Sequence, residues 1–193
     1  NIVRFLGAFT ALSGVELVLE HAPGGALFDL IVNHPTEAKA QAASVARDLT
    51  NALDHIHTRG IIHLDVKPEN VLIFNGVFKL CDFGLAIHDT EQAFRGTPGY
   101  ASPEVYTRDH RITSAADYWS MGVTLVAVLT AMNPFDRGKD SRLALLAFVN
   151  GLMPFPKGTG DAEPLLRGLL CSTPTRRYGA TEVRRDAWVC SSS

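Results

Sequence analysis

The chain has 193 residues, 46% of them hydrophobic and 20% charged, which suits one soluble globular unit with a single good core. A net charge of −2, with basic residues scattered apart from Arg176-Arg177 and Arg184-Arg185, gives no electrostatic reason to expect nucleic acid or an anionic membrane as partner. Three cysteines, Cys81, Cys171 and Cys190, cannot all pair and lack metal-ligand spacing, so the expectation is a reducing compartment, cytoplasm or nucleus, and no zinc site.

The chain opens on Asn1 without a basic stretch or a small-residue cleavage site, and its natural N-terminus is expected upstream. Residues 2–9 and 15–19 are short, apolar and β-rich around a turn at 10–14, which predicts two strands. Pro23, Gly24 and Gly25 then break the pattern in a connector over 20–25. Over 37–59, Ala42, Val45, Ala46, Leu49, Leu53 and Ile56 recur at the spacing of a helix with one buried face, closed by Gly60. Ile61-Ile62 lead straight into His63-Leu64-Asp65-Val66-Lys67-Pro68-Glu69-Asn70. Segments 71–74 and 77–80 flank Asn75-Gly76, a strong two-residue hairpin signal, so Asn70 and Asp82 at the outer ends are predicted to converge. Residues 117–130 predict a helix apolar all round, belonging in the middle of a lobe. Its longest apolar run, 121–132, is about half the ~20 residues needed to span a membrane, so no membrane span is expected. Segments 141–152, 162–170 and 181–188 complete a helical lobe, and 191–193 is expected to be a frayed end.

Asp65, Lys67, Asn70 and Asp82 suit phosphoryl transfer. One carboxylate orients an acceptor hydroxyl, an amide carbonyl and a second carboxylate hold Mg²⁺, and an ammonium offsets charge on the transferred group. A lone H-x-D-x-x-x-x-N is also compatible with an ordinary turn. Here Asp82-Phe83-Gly84, Gly96-Thr97-Pro98-Gly99-Tyr100, Ala101-Ser102-Pro103-Glu104, Asp117-Tyr118-Trp119-Ser120-Met121-Gly122 and Thr173-Pro174-Thr175-Arg176-Arg177 follow in order. With these, the chain resembles the eukaryotic protein kinase family over residues 1 to about 189, and the Lys67-Pro68-Glu69-Asn70 wording resembles Ser/Thr kinases, of the calcium/calmodulin-dependent or cyclic-nucleotide-dependent groups.

The resemblance implies an α+β, protein-kinase-like fold: 1–19 as the last strands of the N-terminal lobe, 20–25 as the hinge and 26–190 as the helical C-terminal lobe. It implies ATP and Mg²⁺ as cofactors and a protein Ser/Thr hydroxyl as acceptor. Leu19 would guard the back of the nucleotide pocket, Glu20, His21 and Ala22 would bind adenine, Leu72 would press on the ring from below, and Cys81 would lie near the nucleotide. His63, Phe83, Gly84 and Asp117 become supports of the catalytic and metal-binding loops, Thr97 touches both Asp65 and Lys67, and Glu104 with Arg177 forms a buried ion pair. A plain loop at 20–22, a core role for Leu72 and a helix-capping role for Asp117 are the blander readings of the same residues.

Some positions depart from the family pattern. Leu64 stands where most regulated members carry Arg, and Ala93 occupies the usual phosphosite, so phosphorylation between Asp82 and Glu104 is expected to be dispensable. Glu69 is present, but Ala26 and Ala127 replace acidic positions, so at most a modest basic preference is expected, with an apolar pocket from Phe94, Pro98 and Ala101 after the acceptor. The Gly-rich loop, the strand Lys and the helix Glu lie upstream of residue 1 in the family, so this polypeptide alone is expected to be nearly inactive, with upstream sequence supplying the rest of the N-terminal lobe. A non-catalytic kinase-like scaffold is the alternative, and a small-molecule kinase is a third, disfavoured reading.

Overall fold

A computed structural model describes residues 1–11, 14–92, 95–107, 111–135 and 140–191. Strands β1 (Phe5–Ala11) and β2 (Gly14–Leu19) pair antiparallel, with a register shift between Phe5 and Gly7. The first strand starts later than the apolar pattern suggests, because residues 1–3 are drawn to a different partner. Val3 N donates to Leu80 O at 2.9 Å and Leu80 N to Asn1 O at 2.9 Å.

The connector is zipped to the hairpin that follows it in space. Gly24 N donates to Ile73 O at 3.0 Å, and Ile73 N returns a bond to Gly25 O at 2.9 Å. Helix α1 (Leu27–Asn33) comes next, buries Leu27 and Ile31 one turn apart, and has no side-chain cap, so it sends no start signal from the sequence. The predicted helix over 37–59 divides at Gln41 into α2 (Pro35–Ala40) and α3 (Ala42–His57). The buried stripe of α3 includes Val45, Ala46, Leu49, Leu53 and Ile56.

Strand β3 (Ile61–Ile62) pairs with β6 (Ile87–His88), and β4 (Val71–Phe74) pairs with β5 (Val77–Leu80). Asn75 (φ 51°) and Gly76 (φ 82°) take the left-handed conformations a two-residue hairpin turn requires. Asp48 on α3 accepts from Phe78 N at 2.9 Å, clamping this hairpin to the long helix.

Helix α4 (Pro103–Thr107), which the periodicity did not predict, precedes α5 (Ala115–Thr130), in which every residue from Ala116 to Leu129 is buried. Helix α7 (Glu163–Leu169) packs on it, α6 (Ser141–Val149) reaches it through Phe148, and α8 (Ala180–Arg185) and α9 (Ala187–Ser191) pack on α3. Trp119 stacks on Phe135 with ring centroids 5.9 Å apart, and Phe148 meets both edge-on. A second, smaller cluster of Ile62, Leu64, Ile87, Ala101, Val105, Ile112 and Ala116 lies under the segment that leads into α4. Among the described residues no helix is long and apolar enough to cross a membrane. Of the expected frayed end, Ser191 closes α9, while Ser192 and Ser193 lie outside the described residues.

The connector leaves no room for a side chain at Gly24, where a Cβ would meet Ile73 Cβ at 2.8 Å and Ile73 O at 2.9 Å. Because one of those atoms is backbone, Gly24→Ala is expected to separate the connector from β4 and cost about 1–3 kcal/mol, read as a lowered midpoint in urea unfolding.

Candidate active site

Asp117, at the start of α5, is fully buried, and its carboxylate is filled by three donors. His63 N reaches Oδ2 at 2.8 Å, Leu64 N reaches Oδ1 at 2.8 Å, and His57 Nε2 bonds Oδ2 at 2.7 Å. Two consecutive backbone amides on one carboxylate impose a sharp local path. Leu64 accordingly sits at φ 66°, a left-handed conformation that costs a bulky residue about 1–3 kcal/mol and persists only when its surroundings hold it.

His63 is fully buried and serves as a strut. Its Nδ1 accepts from Asp65 N at 3.2 Å, which leaves Nε2 to carry the hydrogen and donate to Cys81 O at 3.0 Å. The Phe83 ring packs edge-on against the imidazole, centroids 4.8 Å apart. These contacts couple residue 65 to residues 81–83 through one side chain. Cys81 N also donates to Asn70 O at 2.9 Å, so the outer ends of the β4–β5 hairpin meet.

Asp65, 6% exposed, is the centre of a closed ring of polar groups. Its Oδ1 accepts from Thr97 Oγ1, and its Oδ2 accepts from Lys67 Nζ at 2.9 Å and Asn70 Nδ2 at 2.9 Å. Lys67 Nζ also donates to Thr97 Oγ1 at 2.7 Å, closing the ring. Burial pushes the Asp65 carboxyl upward, but the bonds from Thr97, Lys67 and Asn70 outweigh it and hold the group below the usual carboxylate range. Asp65 is therefore an anion at neutral pH. A carboxylate has about four acceptor positions, and three are taken among the described residues, leaving one open.

Asn70 commits its amide nitrogen to Asp65 O at 2.8 Å and to Asp65 Oδ2, which leaves its carbonyl oxygen as the open ligand atom. Asp82 adopts φ 58° and accepts from Gly84 N through Oδ1 at 3.1 Å, so the backbone turn aims the exposed carboxylate with one oxygen uncommitted among the described residues. The donor set of one amide oxygen and one carboxylate is that of a hard cation which keeps phosphate and water as its other ligands.

A cavity of about 720 Å³ opens beside Asp82, lined by Val3, Phe5, Leu17, Leu19, Leu72, Cys81, Asp82, Phe83 and Gly84. Leu19, Leu72 and Cys81 thus share it with Asp82, whereas Glu20, His21 and Ala22 are not among its lining residues. Glu20 instead accepts from Lys79 Nζ at 2.6 Å and Arg4 N at 2.9 Å, bonds that hold its carboxyl below the usual range. Burial, reinforced by the neighbouring Asp82 charge, pushes the Cys81 thiol up to about 11, so it is a neutral thiol rather than a nucleophile at pH 7.

The segment after Asp82 returns to the catalytic loop at Gly96, whose Cβ would lie 2.9 Å from Leu64 O. Thr97, Pro98 and Glu69 line a neighbouring groove of about 280 Å³. Ala101 turns inward instead, buried with Leu64 in the smaller cluster, and Phe94 and Ala93 lie outside the described residues. Below, Arg177 grips both oxygens of Glu104 at 2.7 and 3.0 Å and donates to Ala115 O at 2.8 Å and Cys171 O at 2.9 Å. Sequence reasoning missed His57 and the Glu20–Lys79 pair. His57 falls in a helix read as scaffold, and its one signal is its place six residues before His63.

A model of the protein kinase domain family matches residues 1–189. CBL-interacting protein kinase 33 of Oryza sativa subsp. japonica is 36% identical over 97% of this chain and 43% of its own length. Calcium-dependent protein kinase 24 of Arabidopsis thaliana is 36% identical over 98% of this chain and 34% of its own. Serine/threonine-protein kinase DCLK3 of Mus musculus is 33% identical over 98% of this chain and 25% of its own. The chain belongs to the protein kinase domain family, and its α+β fold is protein-kinase-like. It spans less than half the length of these relatives.

The Glu104–Arg177 pair is buried on both sides, with side-chain exposures of 1% and 0%. Glu104→Ala strands the guanidinium, so a loss of about 3–5 kcal/mol is expected in urea unfolding, with a smaller loss when Glu104→Met and Arg177→Met are combined.

Proposed function

We propose that the protein bearing this chain is a Ser/Thr protein kinase that transfers the γ-phosphoryl group of ATP to hydroxyls on protein substrates. The observation that carries this reading is the ring around Asp65, an ionised carboxylate with one acceptor position open and an ammonium 2.9 Å away. In this reading Asp65 accepts the hydrogen of the substrate hydroxyl and orients its oxygen towards the phosphoryl group. Lys67 sets a positive charge beside the acceptor position, where it offsets the negative charge of the transferred phosphoryl group, and Thr97, bonded to both Asp65 and Lys67, fixes their spacing. Asn70 Oδ1 and the Asp82 carboxylate would hold Mg²⁺, which when bound neutralises phosphate charge.

Leu19 and Leu72 suit the face of a purine, and Cys81 as a neutral thiol adds only a small apolar wall. The same cavity has a side made by β1 and β2, whose Phe5 (58% exposed), Val15 (70%) and Leu17 (64%) are left uncovered by the described residues. That supports a further N-terminal-lobe segment packing here, with 1–19 as lobe strands, 20–25 as hinge and 26–190 as the helical lobe. Leu64 is 4% exposed and packs with Ala101 and Val105, which supports a substrate-binding segment held by apolar packing rather than by a phosphate on the position of Ala93. Cytoplasm or nucleus remains the proposed location on the cysteine argument alone.

Asp65→Asn in the full-length protein keeps the side-chain shape and removes the acceptor charge. Transfer of ³²P from ATP to a Ser-containing protein mixture is expected to fall about 10²–10⁴-fold. Equal transfer by the variant, or none by the wild type, would leave the scaffold reading in its place.

A further inference from the structure

The segment that follows Asp82 is fastened at several points before the chain reaches Thr97, and the fastenings are unequal. Ile87 and His88 pair with β3, and Asp89 N donates to Gly60 O at 2.7 Å. Arg111 donates to Asp89 O, while Arg95 donates to Leu85 O at 3.2 Å and Ala86 O at 3.3 Å. Both arginines are exposed, so water competes for these bonds and each holds little. Gln92 is different in kind. Its Oε1 accepts from Ile112 N at 2.8 Å, and its Nε2 donates to Ile112 O at 3.4 Å and to Glu91 O at 2.6 Å. The carboxamide thus exchanges two bonds with one residue, as a peptide group does in an antiparallel ladder.

Ile112 is fully buried, so its N–H and C=O are shut off from water, and among the described residues Gln92 fills both. The Ile112 side chain packs in the smaller cluster with Leu64, Ala101 and Val105. Leu64 precedes Asp65, and Thr97 O accepts from Tyr100 N and from Ala101 N, each at 3.1 Å. Gln92 therefore ties the segment to the apolar unit that seats both the residue before Asp65 and the turn that holds Thr97. Between Asp82 and Gly96 the sequence carries one hydroxyl residue, Thr90, whose Oγ1 is engaged with His88 Nδ1 at 2.9 Å.

Resting on the kinase reading above, we propose that Gln92 is a positioning residue for phosphoryl transfer. Clamped on the backbone of Ile112, its carboxamide holds the approach to Thr97 in the arrangement that lets Thr97 bond Asp65 and Lys67. The clamp is a neutral side chain, so the site is ordered with no charge added to the segment. A carboxylate at this position does not replace it: it keeps an acceptor for Ile112 N but sets an anion against the carbonyls of Ile112 and Glu91. Gln92 acts through Thr97 and not on the reacting atoms.

The test uses the full-length protein and a Ser-containing protein substrate. Gln92→Met, which keeps the length of the side chain without its polar atoms, and Gln92→Glu are each expected to lower kcat/KM for that substrate about tenfold or more, with KM for ATP unchanged. Gln92 is exposed, so both variants are expected to fold with the wild-type urea midpoint. Trypsin is expected to cleave after Arg95 faster in either variant than in the wild type. Thr90→Ala, and phosphatase treatment of the wild type, are expected to leave transfer as it was. Unchanged kcat/KM in Gln92→Met, or transfer lost on Thr90→Ala or on phosphatase treatment, overturns the clamp and leaves the kinase reading intact. A fall in kcat/KM that comes with a raised KM for ATP and a lowered urea midpoint marks a general folding role and also overturns it. Absence of transfer by the wild type counts against the kinase reading instead, and the clamp is then decided by amide hydrogen exchange. Exchange at Ile112 and Ala101 that quickens in Gln92→Met supports it, and equal exchange overturns it.

Discussion

The carboxylate of Asp117 is the constraint on which the site rests. It is fully buried, and a buried anion persists only when its oxygens are filled. Here they are filled by the amides of His63 and Leu64 and by the His57 ring. The donors lie at the end of α3, at the exit of β3 and at the residue that follows it in the catalytic loop. Because Asp117 belongs to a helix buried from Ala116 to Leu129, the loop inherits the rigidity of the core rather than that of the surface. Leu64 is held in its left-handed conformation by the same bond and by burial of its side chain.

From that anchor the geometry propagates outward in short steps. His63 transmits position to Asp65 through Nδ1 and to Cys81 through Nε2, so the Asp65 carboxylate and the segment bearing Asp82 are referred to one ring. Asn70 is tied to Asp65 by its amide nitrogen and to Cys81 by its backbone oxygen. The result is a set of oxygens and one ammonium whose relative places depend on few soft torsions, the condition for electrostatic preorganisation. The price is strain at Leu64 and Asp82, both at positive φ.

Much of this was legible in the sequence, for identifiable reasons. The Asn75-Gly76 turn, the amphipathic stripe of α3 and the all-apolar α5 are local signals, and each corresponds to an element in the structure. The convergence of Asn70 with residue 81 follows from the turn alone. Helices α1 and α4 were not legible, since they are short, lack side-chain caps and are fixed by tertiary packing. The parting of residues 1–3 from β1 was equally hidden, because their partner Leu80 is far along the chain. The place of His57 depends on a contact between segments that no local pattern links.

The central claim is that the Asp117 carboxylate holds the catalytic loop as part of the core, and native-state amide hydrogen exchange tests it most directly. The amides of His63 and Leu64 are predicted to exchange only through global unfolding, with opening free energies matching those of α5 amides such as Leu125. Exchange of these two amides at rates typical of surface loops, with α5 still protected, would contradict it.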